Sequence, residues 1–118
     1  MISPYVFAGL GSITNKQELS EIICNRFGIS LEQLTSAKRT RHLVTARMWY
    51  AYVLRMFLKK EFKAIGRDLG GRDHSTIIHY MHQMKGFLEV SEDDRKEFMS
   101  FVSSINHSWS AQLQKSFS

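Results

Sequence analysis

Gly70-Gly71-Arg72-Asp73-His74-Ser75-Thr76 is the stretch that decides the fold. Two adjacent glycines permit the positive φ angles of a tight turn. The residues after them are short and polar, the kind that opens a helix. Before the turn, Phe62, Ile65 and Leu69 fall on one face at helical spacing. After it, a helix from about Asp73 to Phe87 would bury Ile77, Ile78, Met81 and Met84. Two short helices around a glycine turn predict a helix-turn-helix over about 62–87.

The rest of the chain reads as helices that support this pair. Thr14 or Asn15 can cap a first helix, with Gln17 or Glu18 as the capping-box partner. Leu19, Ile22, Ile23 and Phe27 give that helix its apolar face, and Gly28 ends it. Ser30-Leu31-Glu32-Gln33 repeats the capping signature for a short helix burying Leu31 and Leu34. The segment Ser36 to His42 has no apolar period and reads as an exposed basic loop. A long helix is predicted over about 43–59, with Val44, Met48, Ala51, Tyr52 and Phe57 or Leu58 inward. Trp49 and Tyr50 broaden that stripe or mark a second contact. Ser91 with Asp94 caps an extension helix over about 92–116, striped by Phe98, Phe101, Val102, Ile105, Trp109 and Leu113. The expectation is an all-α chain with an N-terminal arm, residues 1–13, and one compact helical domain, residues 14–118.

Composition narrows the function classes. A chain of 118 residues holds one core of ordinary size. No apolar run approaches the roughly 18 residues needed to span a bilayer, so no membrane partner is expected. Cys24 is the sole cysteine, which excludes an internal disulfide and points to a reducing compartment. The net charge of +5 is unevenly placed. Between Lys38 and Arg72 ten basic residues face only Glu61 and Asp68, giving +8 there and −3 elsewhere. A dense cationic block of this kind fits a polyanion as well as a solvated helical surface.

The turn and the charge together point to duplex DNA. In a helix-turn-helix the second helix enters the major groove by its N-terminal end. Short hydrogen-bonding side chains are therefore needed there, and Asp73, His74, Ser75 and Thr76 supply them. An aspartate can accept from a cytosine amino group, and Ser or Thr can contact bases or phosphates. The same residues would also serve as ordinary helix caps.

The run Gly70 to His79 resembles the signature of the C-terminal DNA-binding domain of DnaA-type bacterial replication initiators. The resemblance extends over about residues 15–105. It takes in Ile29 to Leu34, Lys38-Arg39-Thr40-Arg41, Thr45-Ala46-Arg47-Met48 and Ile65 to Leu69. It implies an all-α fold with a Trp-repressor-like helix-turn-helix and a C-terminal extension. It also implies roles, residue by residue. Arg39 matches a minor-groove arginine, with Lys38 and Arg41 beside it in the basic loop. Asp73, His74 and Ser75 match residues at base edges, and Lys63 stands where the family often has a proline near a thymine methyl. Thr76, Arg72, Arg47 and Arg55 match positions near phosphates or bases. Ala46 and Met48 replace a proline and a glutamine that commonly flank the helix arginine, and Ser75 replaces the commoner threonine. These departures bear on which box is preferred.

The full initiators carry an ATPase domain, whereas these residues contain no Gly-x-x-x-x-Gly-Lys-Ser/Thr loop. The expectation is therefore a binding protein and not an enzyme. It would read an initiator-like box and regulate replication or transcription, with no cofactor and no metal. His74, His79 and His82 lack further ligands to hold zinc, and adjacent Asp73 and His74 do not form a triad by spacing. The resemblance implies a bacterial or phage protein of the cytoplasm, associated with the nucleoid. The Met1 arm and the C-terminal extension favour a natural stand-alone chain over an excised domain. The alternative is a protein-interaction module of the same fold; Trp109 and Leu113 either pack on the chain's own core or form a homodimer or partner surface.

Overall fold

The computed structural model describes residues 15–117, and the expected arm, residues 1–13, and the candidate cap Thr14 lie outside them. Among the described residues there are seven helices and no strand: α1 Lys16–Phe27, α2 Leu31–Leu34, α3 Arg41–Met56, α4 Phe62–Asp68, α5 His74–Val90, α6 Glu92–Ile105 and α7 His107–Phe117. The all-α expectation holds. The expected single domain divides into two compact units, residues 15–85 and the chain from Gly86 onward.

In the first unit the cap chemistry sets the helix ends. The Asn15 side chain accepts the Glu18 N–H at 2.9 Å, and Gly28 ends α1 in the left-handed region at φ 65°. Ser30 and Gln33 form a complete capping box at the start of α2. Leu31, expected inside, is 58 % exposed, because a single turn can bury only one of its two leucines, here Leu34. Helix α3 starts two residues earlier than expected and stops three earlier. Lys59 takes a left-handed φ of 57°, and the Lys60 N–H turns back to the Leu54 carbonyl at 3.1 Å.

Helix α3 is the core of this unit. Every residue from Ala46 to Leu54 is buried, so it is enclosed on all sides rather than along one stripe. Helices α1, α2 and α4 pack against it. The Phe27 ring meets Trp49 edge-on, with centroids 5.0 Å apart. Ile65 and Leu69 of α4 and its C-cap are fully buried, and Lys16 ties α1 to Asp68 at 3.0 Å. On α5 the inward positions are Ile77, Tyr80 and Met84. Ile78 and Met81, expected inside, are only half-buried, because the buried stripe is turned toward Tyr80.

In the second unit the expected extension helix is two helices. Asn106 is extended (φ −165°, ψ 109°) between α6 and α7. Its N–H still closes α6 on the Val102 carbonyl at 2.8 Å, while its side-chain oxygen accepts the Trp109 N–H at 3.3 Å. An asparagine competes with the backbone for hydrogen bonds and so favours such a break. Ser91 caps α6 through the Asp94 N–H at 3.2 Å, and the acidic first turn suits the helix dipole. The α6 and α7 helices pack on each other. Trp109 and Leu113 are 8 % and 2 % exposed, so these two side chains are taken up within the chain, as the core reading of them expects, and offer little surface to a partner.

Candidate nucleic-acid interface

The turn between α4 and α5 is tight because of three glycines. Gly70 and Gly71 have φ of 90° and 83°, which L side chains avoid. The Gly66 carbonyl accepts the Gly71 and Arg72 N–H groups at 3.0 and 2.8 Å. A Cβ on Gly66 would stand 2.1 Å from the Arg72 carbonyl oxygen, so the two chain segments touch only because that atom is missing. Gly70 is pressed in the same way against the Thr35 carbonyl oxygen, at 2.1 Å from an added Cβ. The turn is thereby seated on the start of the basic loop.

Helix α5 begins with the Asp73 carbonyl, which accepts the Thr76 and Ile77 N–H groups at 3.1 and 3.4 Å. The first turn faces solvent: the Asp73 and His74 side chains are 73 % and 52 % exposed, and Ser75 is exposed too. The Asp73 carboxylate accepts from the Ser75 hydroxyl at 3.3 Å and lies 3.4 Å from His74 Nδ1. These local contacts align the polar groups while leaving them open to a partner.

Across from that turn stands the basic loop. Lys38, Arg39 and Arg41 are all exposed. A cleft of about 610 Å³ lies between loop and helix, lined by Arg39 and Arg72 together with Ser75, Thr76, His79 and Gln83. His79 and Gln83 were not among the expected site residues. Their signal was in the sequence, since 75, 79 and 83 repeat at four-residue spacing and share one helix face. A second, shallower concavity of about 280 Å³ brings Lys63 and Arg67 to Asp73 and His74. Arg67 is a further cation that the pattern reading passed over. Among the described residues no group of His, Cys, Asp and Glu could hold a metal ion.

Two expected phosphate ligands, Arg47 and Arg72, line the same cleft but spend their guanidinium groups on main-chain carbonyls. Arg47 is 0 % exposed. Its Nε donates to the Leu34 carbonyl at 2.7 Å and its Nη1 to the Lys38 carbonyl at 2.6 Å. Its Nη2 donates to the Gln33 and Ser36 carbonyls at 3.1 and 2.8 Å. Burial, reinforced by the nearby positive Arg72, pushes the Arg47 pKa below its ordinary value, and the Tyr80 side chain partly opposes this. Arg47 is therefore enclosed by the domain's own carbonyls, which do for it what a phosphate would do at the surface. Arg72 is half-buried and donates to the Ser36 carbonyl at 2.6 Å and to the Leu69 carbonyl. Arg55 is half-exposed, with its guanidinium 4.2 Å above the Phe62 ring and one N–H on the Lys60 carbonyl at 3.2 Å.

A short helix, a two-glycine turn and a helix with an open polar first turn, set beside a cationic loop, define a helix-turn-helix domain of the DNA-binding class. The family model described as "Bacterial dnaA protein helix-turn-helix" matches residues 17–84. The chain belongs to this family. Among similar proteins is the chromosomal replication initiator protein DnaA of Anaplasma marginale, 41 % identical over 70 residues, which are 59 % of this chain and 14 % of that protein. The DnaA proteins of Agrobacterium fabrum and Streptococcus pyogenes are 28 % and 27 % identical over 88 and 89 residues. Each of those two matches takes in 75 % of this chain but only 18 % and 20 % of the relative's length. The chain thus spans about a fifth or less of these initiators. No helix among the described residues is long and apolar enough to cross a membrane.

Proposed function

We propose that this domain reads a specific duplex DNA box through two grooves at once, and that its occupancy of such boxes regulates replication or transcription. The observation that carries the reading is the shared cleft, which sets exposed Arg39 opposite the polar first turn of α5. In the proposed complex the first turn of α5 enters the major groove. Asp73, His74 and Ser75 contact base edges there, and Thr76, His79 and Gln83 border the strand that lies in the cleft. Arg39 enters the adjacent minor groove, whose width and negative potential depend on A·T content. Lys38, Arg41 and Arg55 serve the phosphates, and Lys63 with Arg67 takes the flank beside His74.

This division of labour makes two quantities separable. Base contacts set discrimination, and phosphate contacts set affinity and its salt dependence. The activity proposed for these 118 residues is binding; they contain no phosphate-cradling Gly-x-x-x-x-Gly-Lys-Ser/Thr loop. The test is a titration of two duplexes, one with an initiator-type box and one scrambled, at two salt concentrations. Arg39→Ala and Ser75→Ala are each expected to reduce discrimination by about 1–3 kcal/mol. Arg55→Ala is expected to weaken both duplexes alike and flatten the salt slope by about one unit. Equal affinity of the wild-type protein for the two duplexes overturns the reading.

A further inference from the structure

Arg47 comes from the middle of α3 and Arg72 from the turn before α5, yet both end on one atom. The Ser36 carbonyl oxygen accepts from Arg47 Nη2 at 2.8 Å and from Arg72 Nη2 at 2.6 Å. A carbonyl oxygen has two lone pairs, so this acceptor is filled. Two like-charged guanidiniums repel each other, and they converge on this acceptor all the same. The surrounding contacts hold the same stretch of chain. Arg47 also takes the Lys38 carbonyl at 2.6 Å, and the Thr40 carbonyl accepts the Val44 N–H at 3.0 Å. Arg39 therefore sits between two anchored peptides. On the other side, Arg72 also donates to Leu69, and Gly70 lies against Thr35 with no room for a Cβ.

We infer that the Ser36 carbonyl is the coupling point between the two readers of this domain, with Arg47 and Arg72 acting as positioning residues for Arg39 and not as phosphate contacts. The loop that carries the minor-groove arginine is pinned to the turn that aims the major-groove helix. The spacing between the two is then fixed before DNA arrives, and the loop backbone loses little ordering entropy on binding. A box whose minor-groove segment lies out of register with its major-groove segment is rejected as a unit. This inference rests on the two-groove reading proposed above, but the loop's rigidity is a property of the free protein.

Two measurements test it. The first is the set of backbone 15N order parameters for residues 36–40 in the DNA-free protein. They are expected near the rigid value of about 0.85 in the wild type and below about 0.6 in Arg72→Lys. Lysine keeps the charge but cannot span Ser36 and Leu69 together. The second measurement compares a box duplex with one in which only the A·T pairs facing Arg39 are changed to G·C. Arg72→Lys is expected to lower that discrimination at least about fivefold with the salt slope unchanged, and to have no further effect in an Arg39→Ala background. A phosphate contact predicts the reverse: lysine retains both the contact and the discrimination. Flexible residues 36–40 in the wild type overturn the inference, as do independent effects in the double variant. If Arg72→Lys melts below the assay temperature, the wild-type order parameters alone decide. If the wild type shows no box preference, the two-groove reading fails while the order parameters still decide whether the loop is pinned.

Discussion

Replacing Arg47 by methionine strikes at the least expected residue of the domain. Methionine replaces the aliphatic stem but not the guanidinium head, so the change removes the hydrogen bonds and leaves room for about one water among the freed carbonyls. The side chain serves four carbonyl acceptors, those of Leu34, Lys38, Gln33 and Ser36. The bond to Leu34 is buried, and losing it leaves an acceptor unsatisfied at about 1–3 kcal/mol. The other three are part-buried and can regain water, so about 0.5–1 kcal/mol each is reasonable. Against this, methionine avoids the cost of burying a charge, which offsets part of the loss. The expected net loss is about 3 kcal/mol. For a unit of this size each kcal/mol corresponds to about 4–8 °C, so the melting temperature should fall by roughly 12–24 °C. Urea unfolding with circular dichroism measures it, alongside Arg47→Lys, which keeps the charge and should lose about half as much. A loss below about 1 kcal/mol for methionine, combined with a salt slope flatter by about one unit, would refute the reasoning and restore Arg47 to the phosphates.

Further expectations concern the backbone and the lone thiol. Gly66→Ala puts a methyl group 2.1 Å from the Arg72 carbonyl oxygen; the turn must shift, and thermal unfolding should show a loss of about 2–3 kcal/mol. Lys59→Gly relieves a left-handed lysine at φ 57° and should stabilise by about 1 kcal/mol, readable as a higher urea midpoint with unchanged m-value. Ser30→Ala removes one side of the capping box and should cost about 1 kcal/mol by the same assay. Cys24 is buried, and burial with the nearby Glu21 carboxylate raises its pKa above the ordinary thiol value. It should react slowly with an aromatic disulfide reagent at pH 8 and rapidly in urea. The folded state then holds the proton more tightly than the unfolded chain, so this group's contribution to stability is lost as pH rises above the unfolded thiol pKa.

Much of the architecture was legible because local chemistry dictates it. Asn15, Ser30 and Ser91 cap the helices they precede, and Gly28 ends the first one, since each satisfies or frees backbone groups within four residues of itself. The glycine turn and the polar start of α5 were readable for the same reason. Differences arose where a neighbour distant in sequence decides. Leu31 has the same chemistry as Leu34, yet only Leu34 finds cover. Trp109 and Leu113 continue an apolar stripe, but the break at Asn106 redirects it. His79 and Gln83 were recoverable from spacing alone; Arg67 became part of the site only when the concavity beside His74 took shape.

The arginines mark the boundary between the two sources of information. Arg47 and Arg55, eight residues apart on α3, share nearly one helix face, and the sequence by itself determined their charge, their helix and their nearness to a cationic loop. It could not determine that one is buried and the other half-exposed. The burial of a guanidinium is tolerable only if acceptors surround it, and those acceptors are main-chain carbonyls of residues 33–38. Every residue carries such a carbonyl, whatever its side chain, so no pattern of side chains announces where four of them will converge. Tertiary packing alone brings them to Arg47, and Arg72 joins it on the Ser36 carbonyl, the contact from which the proposed frame for Arg39 is inferred.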